Sequence, residues 1–423
     1  MKRRLIFILT ALFIYQIYAK GQGIKVARVT VEAGRYDRVN VLVSANLDGL
    51  DLDLANSKLV LYEIDDGNET NIESQLNMND GPKLWWKIKD KLWAGKSKIY
   101  SLRKSSKSRI AESPAIEVIN AKGNLIVKSN GKNVLQYNFN DAPLPGGVPE
   151  IYNRAGYIHP LWSPKGEVLT RIQPPDHYHH LGIWNPWTHT EYKGKVIDFW
   201  NLAKGEGTVK PSSIISTTSN DLYGGFRVLH DHIDLNGMTP EGFEVALKEE
   251  WNVRIWNIAD DAWLIDFVST MNCATDSAFT IKEYRYQGFG IRATEKWNDK
   301  TANLLTSEGK NKEDGNSTRA RWCDVNGVSE FGTSGILFIT HPANYNYPEP
   351  IRIWPVGSNE GKENVFFNFN PAMDRDWVLE PGNDYQLRYR MFVYDGKIDE
   401  SKAEKLWQDF AFPPKVNVDV MSE

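Results

Sequence analysis

The chain has 423 residues, with 50 Lys and Arg against 54 Asp and Glu, so its formal net charge is −4. Apolar residues make up 41% and charged residues 25%, which is typical of a folded globular protein and excludes a disordered one. The charge balance lacks the basic excess of a nucleic-acid surface, so we expect no nucleic-acid partner. Aromatic residues reach 12%, which suits a β core or a surface that stacks on sugar rings.

Residues 1–19 have the pattern of a secretory signal peptide. Three basic residues follow the first Met, and then come the apolar run Leu5–Tyr18 and Ala19 before a polar stretch. The run is shorter than the ~20 residues that a membrane-crossing helix needs, and no later run is longer. We therefore expect a periplasmic or secreted protein with no membrane span after cleavage; an uncleaved N-terminal anchor is the alternative.

Alternating apolar runs predict short strands in the first quarter of the chain. They lie at Val26–Val31, Val39–Val43 and Leu59–Tyr62, with turn-rich stretches between them. This spacing predicts a small, immunoglobulin-like β-sandwich over residues 24–115. The polar, basic segment Arg103–Ser113 is the candidate linker.

Strand-like runs resume at Ile116 and continue through a second domain, residues 116–423. The intervals are too short and turn-rich for βαβ units, so we expect a large antiparallel sheet system and an all-β fold class. The runs are Val245–Trp256, Trp263–Met271, Phe279–Gln287, Gly335–Thr340, Val365–Phe369 and Tyr385–Tyr394. The one helix signal is the capping box Ser401–Glu404, followed by apolar residues at helical spacing.

Five of the eight histidines fall between residues 159 and 189, so this segment has the highest concentration of potentially reactive side chains. In an extended strand, His177 and His179 would share a face and His180 would point away. Imidazoles titrate near neutral pH, so the cluster suits proton transfer or metal ligation, and Asp176 is placed to orient one ring. The alternative is a set of hydrogen-bonded structural histidines in a turn. No standard zinc motif is present, and we expect no cofactor, with a metal at this cluster as the open alternative.

A second candidate set comes from the predicted strand Phe279–Gln287. Alternation places Glu283, Arg285 and Gln287 on one face, where they would line a pocket for a polyhydroxyl ligand. A surface row of ion-paired side chains is the alternative.

Further candidates are spread along the chain among aromatic residues. They are His159, Trp184, Asp198, Trp200, Arg319, Trp322 and His341. The two cysteines, Cys273 and Cys323, have no metal-type spacing, and export would make a disulfide between them possible.

The histidine segment resembles a family of secreted bacterial proteins. The matching runs include Gly156–Leu161, Gly166–Thr170, Asp176–Trp184, His341–Asn344 and the closing stretch from Leu379 to Arg390, within about residues 116–395. The family is called PmoA-like, or "methane oxygenase PmoA", and its function is not established. Here Leu181 stands where the family pattern more often has Arg. The resemblance implies an association with glycan breakdown.

The Leu379–Gly382 turn and the alternating strand after it resemble galactose-mutarotase-type and polysaccharide-lyase domains. That resemblance implies a β-supersandwich whose concave sheet binds sugars and carries His, Glu and Arg for proton transfer.

Together these features predict an exported carbohydrate-active protein, acting as a glycoside hydrolase, a lyase or an epimerase. One of His177, His179 and His180 would be the acid or base, and Glu283 or Asp198 the partner carboxylate. The residues expected to bind substrate are His159, Asp176, Trp184, Trp200, Arg285, Gln287, Arg319, Trp322 and His341. The alternatives are a non-catalytic glycan-binding protein and a His-ligated metal enzyme.

Overall fold

The structure is a computed structural model that describes residues 23–50, 53, 58–79, 81–105, 113–240 and 242–421. The predicted signal peptide, residues 1–19, lies outside the described residues. The described chain consists of antiparallel strands and one α-helix, which confirms the predicted all-β fold class. It forms two compact units: one comprises the residues before Ser113 together with those from Phe412 onward, and the other is Ser113–Ala411.

The smaller unit is a sandwich of a five-stranded and a three-stranded sheet. The five-stranded sheet has the order β28-β1-β7-β3-β4, and the other has the order β2-β6-β5. The strands are β1 (Ile24–Glu32), β2 (Val41–Asn46), β3 (Lys58–Asp65), β4 (Asn68–Ile72), β5 (Ser74–Asn77), β6 (Lys83–Ile88), β7 (Ser97–Ser105) and β28 (Lys415–Val420).

The period-2 alternation of the sequence forms the core of this unit. Ala27, Val29 and Val31 of β1 are fully buried, and their neighbours along the strand face outward. They pack in one apolar cluster with residues of the three-stranded sheet such as Trp86.

The larger unit contains two eight-stranded antiparallel sheets and a four-stranded one. The first sheet has the order β24-β25-β20-β12-β11-β10-β9-β8, the second β15-β16-β17-β18-β27-β23-β22-β21, and the small sheet β14-β13-β19-β26.

The bounds of the elements of this unit are as follows. The first half contains β8 (Ile116–Ala121), β9 (Asn124–Ser129), β10 (Lys132–Asn138), β11 (Tyr157–Leu161), β12 (Ile183–Trp184), β13 (Thr190–Tyr192), β14 (Lys195–Ile197), β15 (Gly207–Thr218), β16 (Tyr223–Thr239) and β17 (Gly242–Trp256). The second half contains β18 (Ala262–Cys273), β19 (Phe279–Ile281), β20 (Gly290–Arg292), β21 (Ala302–Thr306), β22 (Trp322–Ser329), β23 (Gly332–Thr340), β24 (Ile351–Ile353), β25 (Phe366–Phe369), β26 (Trp377–Leu379), β27 (Tyr385–Asp395) and the helix α1 (Glu400–Ala411).

The two eight-stranded sheets pack against each other through aromatic residues. Phe267 of β18 lies 4.5 Å, centroid to centroid, from Phe289 beside β20, and Tyr389 of β27 stacks 5.6 Å from Phe369 of β25. These rings belong to one continuous buried cluster. The high aromatic content therefore fills a sandwich core, one of the two uses that the composition suggests.

Three expectations about local structure need correction. The strand predicted over Phe279–Gln287 ends at Ile281, so its alternation stops before the polar residues. The last strand, β28, was assigned to the second domain but pairs with β1 of the first unit. In α1 the cap is Asp399, whose carboxylate accepts the backbone N–H of Lys402 at 2.7 Å; Ser401 lies inside the first turn.

The two cysteines do not form a disulfide: both thiols are free, and that of Cys323 is buried. Among the described residues, no helix is long and apolar enough to cross a membrane.

Candidate functional site

The histidine segment opens onto a cavity of about 370 Å³ in the larger unit. That volume is in the range of small-molecule sites. The lining residues are His177, His179, His180, Trp200, Asn201, Arg285, Tyr286, Arg352, Trp354, Ser358, Asn359 and Phe366.

The loop that carries the histidines is closed at its base by a bridge between Ile172 and Leu181. Gly182 follows with φ at 64°, and a Cβ there would collide with the carbonyl oxygen of Ile158 on β11. Only glycine therefore fits the point where the loop enters β12. The loop is thus anchored on the central strands of the first eight-stranded sheet.

Successive turns bring all three imidazoles of the loop together. The N–H of His177 donates to the carbonyl of Pro174 at 2.9 Å, and that of His180 to the carbonyl of His177 at 3.0 Å. The ring of His177 is 4.7 Å from that of His180 and 5.4 Å from that of His179, centroid to centroid. The expectation that His180 points away was wrong, because the segment is a turn and not a strand.

His177 and Asp176 form a hydrogen-bonded dyad. Nδ1 of His177 lies 2.8 Å from Oδ2 of Asp176. The same oxygen accepts Nη2 of Arg292 at 2.9 Å and the amide of Asn359 at 3.3 Å. A carboxylate only accepts hydrogen bonds, so Nδ1 carries the proton and the lone pair of the neutral ring is on Nε2. Nε2 makes no hydrogen bond to any residue that the structure describes.

The protonation states follow from burial and charge. Burial acts to raise the pKa of Asp176, but the hydrogen bond from His177 and the charge of Arg292 together lower it to about 2. Burial, helped by the charge that His177 carries when it is protonated, lowers the pKa of His179 to about 3. Burial also holds the pKa of His180 well below its usual value. At neutral pH the cavity therefore presents an ionised carboxylate behind His177, and His179 and His180 are uncharged.

Two arginines on other elements complete the polar side of the cavity. Arg285 follows β19 and is exposed, and Arg352 lies on β24. Nη1 of Arg352 donates to Asn316 at 2.9 Å, but its buried Nε has no hydrogen-bond partner. Neither arginine forms an ion pair with a carboxylate in the described part of the chain. The cavity thus has positive charge that the protein does not neutralise.

Aromatic rings line the cavity beside the histidines. Trp354 lies 4.8 Å from His177, centroid to centroid, and Phe366 lies 5.1 Å from His180. Trp200 also lines the cavity but is only 1% exposed, and Trp184, equally buried, lies 5.5 Å from it. Trp184 therefore supports the wall and is not placed to stack on a ligand.

The two carboxylates expected to partner the histidines do not line the cavity. Glu283 is exposed, and its backbone N–H donates to Asp376 at 2.7 Å. The carboxylate of Asp198 accepts the backbone N–H groups of Trp200 and Asn201, both at 2.9 Å, and so stabilises a turn.

Gln287, which was expected to line a pocket, does not line the cavity either. It is fully buried, and its Nε2 donates to the carbonyl of Lys282 at 2.7 Å. The expected polar face does not exist because the strand ends at Ile281; of the three residues, Arg285 alone lines the cavity.

Four other candidates serve local structure elsewhere. Arg319 pairs with Asp374, and Nε1 of Trp322 donates to Glu404 of α1 at 3.1 Å. His341 accepts the N–H of Ala343 at 3.0 Å. His159 lies 2.8 Å from the hydroxyl of Thr170 and lines a separate cavity, and burial lowers its pKa to about 4.

Eight residues of the site were not among the sequence candidates: Asn201, Tyr286, Arg292, Ser358, Asn359, Phe366, Arg352 and Trp354. Arg352 and Trp354 alternate with the buried Ile351 and Ile353 at β24. The period-2 pattern of this segment could therefore have identified both residues from the sequence. Arg292 lies on a strand of three buried residues, and no pattern in the sequence marks it.

A second polar cluster lies inside the sandwich core. His232 and Glu249 are 3.0 Å apart, Glu249 also accepts the amide of Asn185 at 2.7 Å, and His230 lies 2.7 Å from the hydroxyl of Tyr137. All five are buried and belong to no described cavity, so we assign them a structural role. The described residues contain no group of three or more His, Cys, Asp and Glu arranged to hold a metal ion.

Comparison with known proteins gives one family. A model described as "Family of unknown function (DUF6807)" matches residues 124–408, so the chain belongs to this family. The match covers most of the larger unit, including every residue that lines the histidine cavity. No curated protein matches the chain.

Proposed function

We propose that this member of the DUF6807 family is an exported carbohydrate-active enzyme, with His177 as its proton-transfer group. The observation that supports the proposal is the Asp176–His177 dyad at the wall of an open cavity. A neutral imidazole whose Nδ1 is fixed by a carboxylate has its Nε2 free to accept a proton, which is how such dyads serve as general bases.

The remaining lining residues suit a sugar. Trp354 offers an aromatic face, which packs on the apolar face of a pyranose ring, and Asn201 and Asn359 offer amides for its hydroxyls. The resemblance to secreted glycan-associated proteins and the predicted signal peptide are consistent with the same function.

Within the site the residues have distinct roles. Asp176 fixes the tautomer and orientation of His177, and Arg292 holds Asp176 ionised. His179 and His180 are neutral at physiological pH and donate or accept hydrogen bonds without adding charge. Arg285 and Arg352 bind polar groups of the substrate.

The test is a panel of plant, algal and host glycans incubated with purified protein, with products detected by mass. His177→Gln should lower turnover by about 10²–10⁴-fold, the usual contribution of a positioned acid or base. His189→Gln is the matched control, because His189 hydrogen-bonds the carbonyl of Glu283 and does not line the cavity.

Three results would contradict the proposal. They are a panel with no product, full activity of the His177→Gln variant, and a stoichiometric transition metal in protein purified without added metal. The first, combined with saturable binding of a glycan, would favour the non-catalytic alternative. The third would favour the metal enzyme.

A further inference from the structure

The wall of the histidine cavity contains no carboxylate among the described residues. Its ionisable members are three histidines, one tyrosine and two arginines. Two acids contact lining residues from outside the wall: Asp176 is already hydrogen-bonded to His177, Arg292 and Asn359, and Asp198 to Asn201 and to backbone N–H groups. No acidic side chain on this wall is therefore available to attack or protonate a bound sugar.

This composition is a poor match to glycoside hydrolysis. Most glycosidases place two carboxyl groups on opposite sides of the scissile bond, about 5–10 Å apart, one as acid and the other as nucleophile or base. Here neither carboxyl group is present on the cavity wall. A reaction that needs one base, one neutral acid and a cationic site is a better match.

The two arginines indicate that the substrate carries a negative charge. Burial and the charge of Arg285 both lower the pKa of Arg352, because the positive charges of the two side chains repel each other. A bound anion would relieve this repulsion, and Arg has the planar geometry that pairs with a carboxylate. An uncharged sugar would leave both cations unmatched.

We propose that the cavity binds a uronic-acid residue of a glycan, with its carboxylate on Arg285 and Arg352, and cleaves the chain by β-elimination. This inference rests on the proposed function and names its substrate class and reaction.

The chemistry follows from the charge distribution. Pairing the carboxylate with two cations makes the C5 proton next to it more acidic. Nε2 of His177 takes that proton, the electron pair forms the C4=C5 double bond, and the bond from C4 to its glycosidic oxygen breaks.

The departing oxygen needs a proton, and Tyr286 can supply it. Burial raises the pKa of this residue to about 12, so its hydroxyl is protonated at neutral pH. Proton exchange with solvent then restores both His177 and Tyr286. The products are an unsaturated uronide and a new chain end, and no water is consumed.

The experiment compares uronate polymers with neutral polymers of matching stereochemistry. The substrates are galacturonate, glucuronate and mannuronate polymers. Two controls accompany each of them: the neutral polymer of galactose, glucose or mannose, and the same uronate polymer after chemical reduction of its carboxyl groups. Product is followed by mass and by the ultraviolet absorbance of the conjugated unsaturated uronide.

We expect a uronate polymer to yield unsaturated product, and its neutral and reduced counterparts to yield none. Arg352→Gln should lower turnover by at least tenfold. Arg388→Gln is the matched control and should leave turnover unchanged, because Arg388 is exposed, pairs with Gln386 and does not line the cavity.

Cleavage of neutral glycans with a mass gain of one water would overturn the inference and leave the proposed function standing. Equal cleavage of the carboxyl-reduced polymer would do the same. Absence of turnover on every polymer would overturn both.

Discussion

Oδ2 of Asp176 is shared by Nδ1 of His177 at 2.8 Å and Nη2 of Arg292 at 2.9 Å. The imidazole therefore contacts a carboxylate that is already paired with a buried guanidinium. Such a carboxylate remains ionised over nearly the whole pH range, since its pKa is lowered to about 2. It fixes the proton on Nδ1 of His177 without taking that proton itself.

Asp176→Asn should lower kcat on any glycan that the protein turns over by about 10²-fold or more, with a smaller effect on KM. The amide removes the charge that stabilises the protonated imidazole and also allows the wrong tautomer. Steady-state kinetics measures both parameters. Glu283→Gln is the matched control, and a loss as large in that variant would restore Glu283 as the partner carboxylate.

Arg292→Met should destabilise the protein by roughly 3 kcal/mol, because it leaves the partly buried Asp176 without its cation. Urea denaturation gives the free energy of unfolding. The double variant with Asp176→Asn should recover part of the loss, since the unpaired charge is then absent. Equal losses in the single and the double variant would show that the ion pair is not the cause.

His230→Gln should weaken the dependence of stability on acid. Burial lowers the pKa of the folded residue to about 4, whereas the unfolded residue titrates near 6.5. Between these values the unfolded chain binds a proton that the folded chain does not, so the stability present above pH 6.5 declines as the pH falls towards 4. Removing this group should reduce the slope by up to ~1.4 kcal/mol per pH unit.

Urea denaturation at several pH values from 7 to 4.5 measures that slope. Gln retains a hydrogen-bonding group for Tyr137 but does not titrate, which limits the loss of stability at pH 7. If the free energy of unfolding of His230→Gln and of the unchanged protein fell equally with pH, this origin of the acid sensitivity would be ruled out. His189→Gln, on a partly exposed ring, serves as the control for the substitution of a histidine outside the core.

Asp399→Ala should cost about 1 kcal/mol of stability, and Ser401→Ala much less. Asp399 caps the backbone N–H of Lys402, whereas Ser401 is already within α1. Thermal denaturation of the two variants separates the alternatives. A larger loss for Ser401→Ala would instead support the cap that the sequence predicts.

Sequence patterning was most informative where strands are long and have one face in the core. The runs from Val245 to Trp256 and from Tyr385 to Tyr394 are strands β17 and β27 within a few residues of the expected bounds. Their alternation is determined by the sandwich core and is visible without the structure.

The same reasoning failed where a strand ends without a change in composition. Thr280 to Arg285 has a β-like alternation, but pairing with β13 and β26 stops at Ile281. The chain then turns, which exposes Glu283 and buries Gln287. That end is decided by neighbouring strands distant in sequence, which local patterns do not report.

The sequence predicted which segment carries the candidate site, but it did not predict how the side chains of that site are arranged. The histidines at 177, 179 and 180 were correctly grouped, but their shared orientation depends on the turns from Pro174 to His180. Arg292 reaches Asp176 from β20 and Arg352 reaches the cavity from β24, each more than 100 residues away along the chain. Such long-range convergence has no signature in a single sequence.

The pairing of β28 with β1 has a consequence for biogenesis. As the ribosome releases the polypeptide from its N-terminal end, β1 stays at the border of its sheet until nearly all of the remaining chain has been made. During that interval its outer backbone groups are open to pairing with other nascent molecules, a common route to aggregation. Truncation after Ala411 would make this state permanent, so the shortened protein should precipitate even though Ser113–Ala411 is intact.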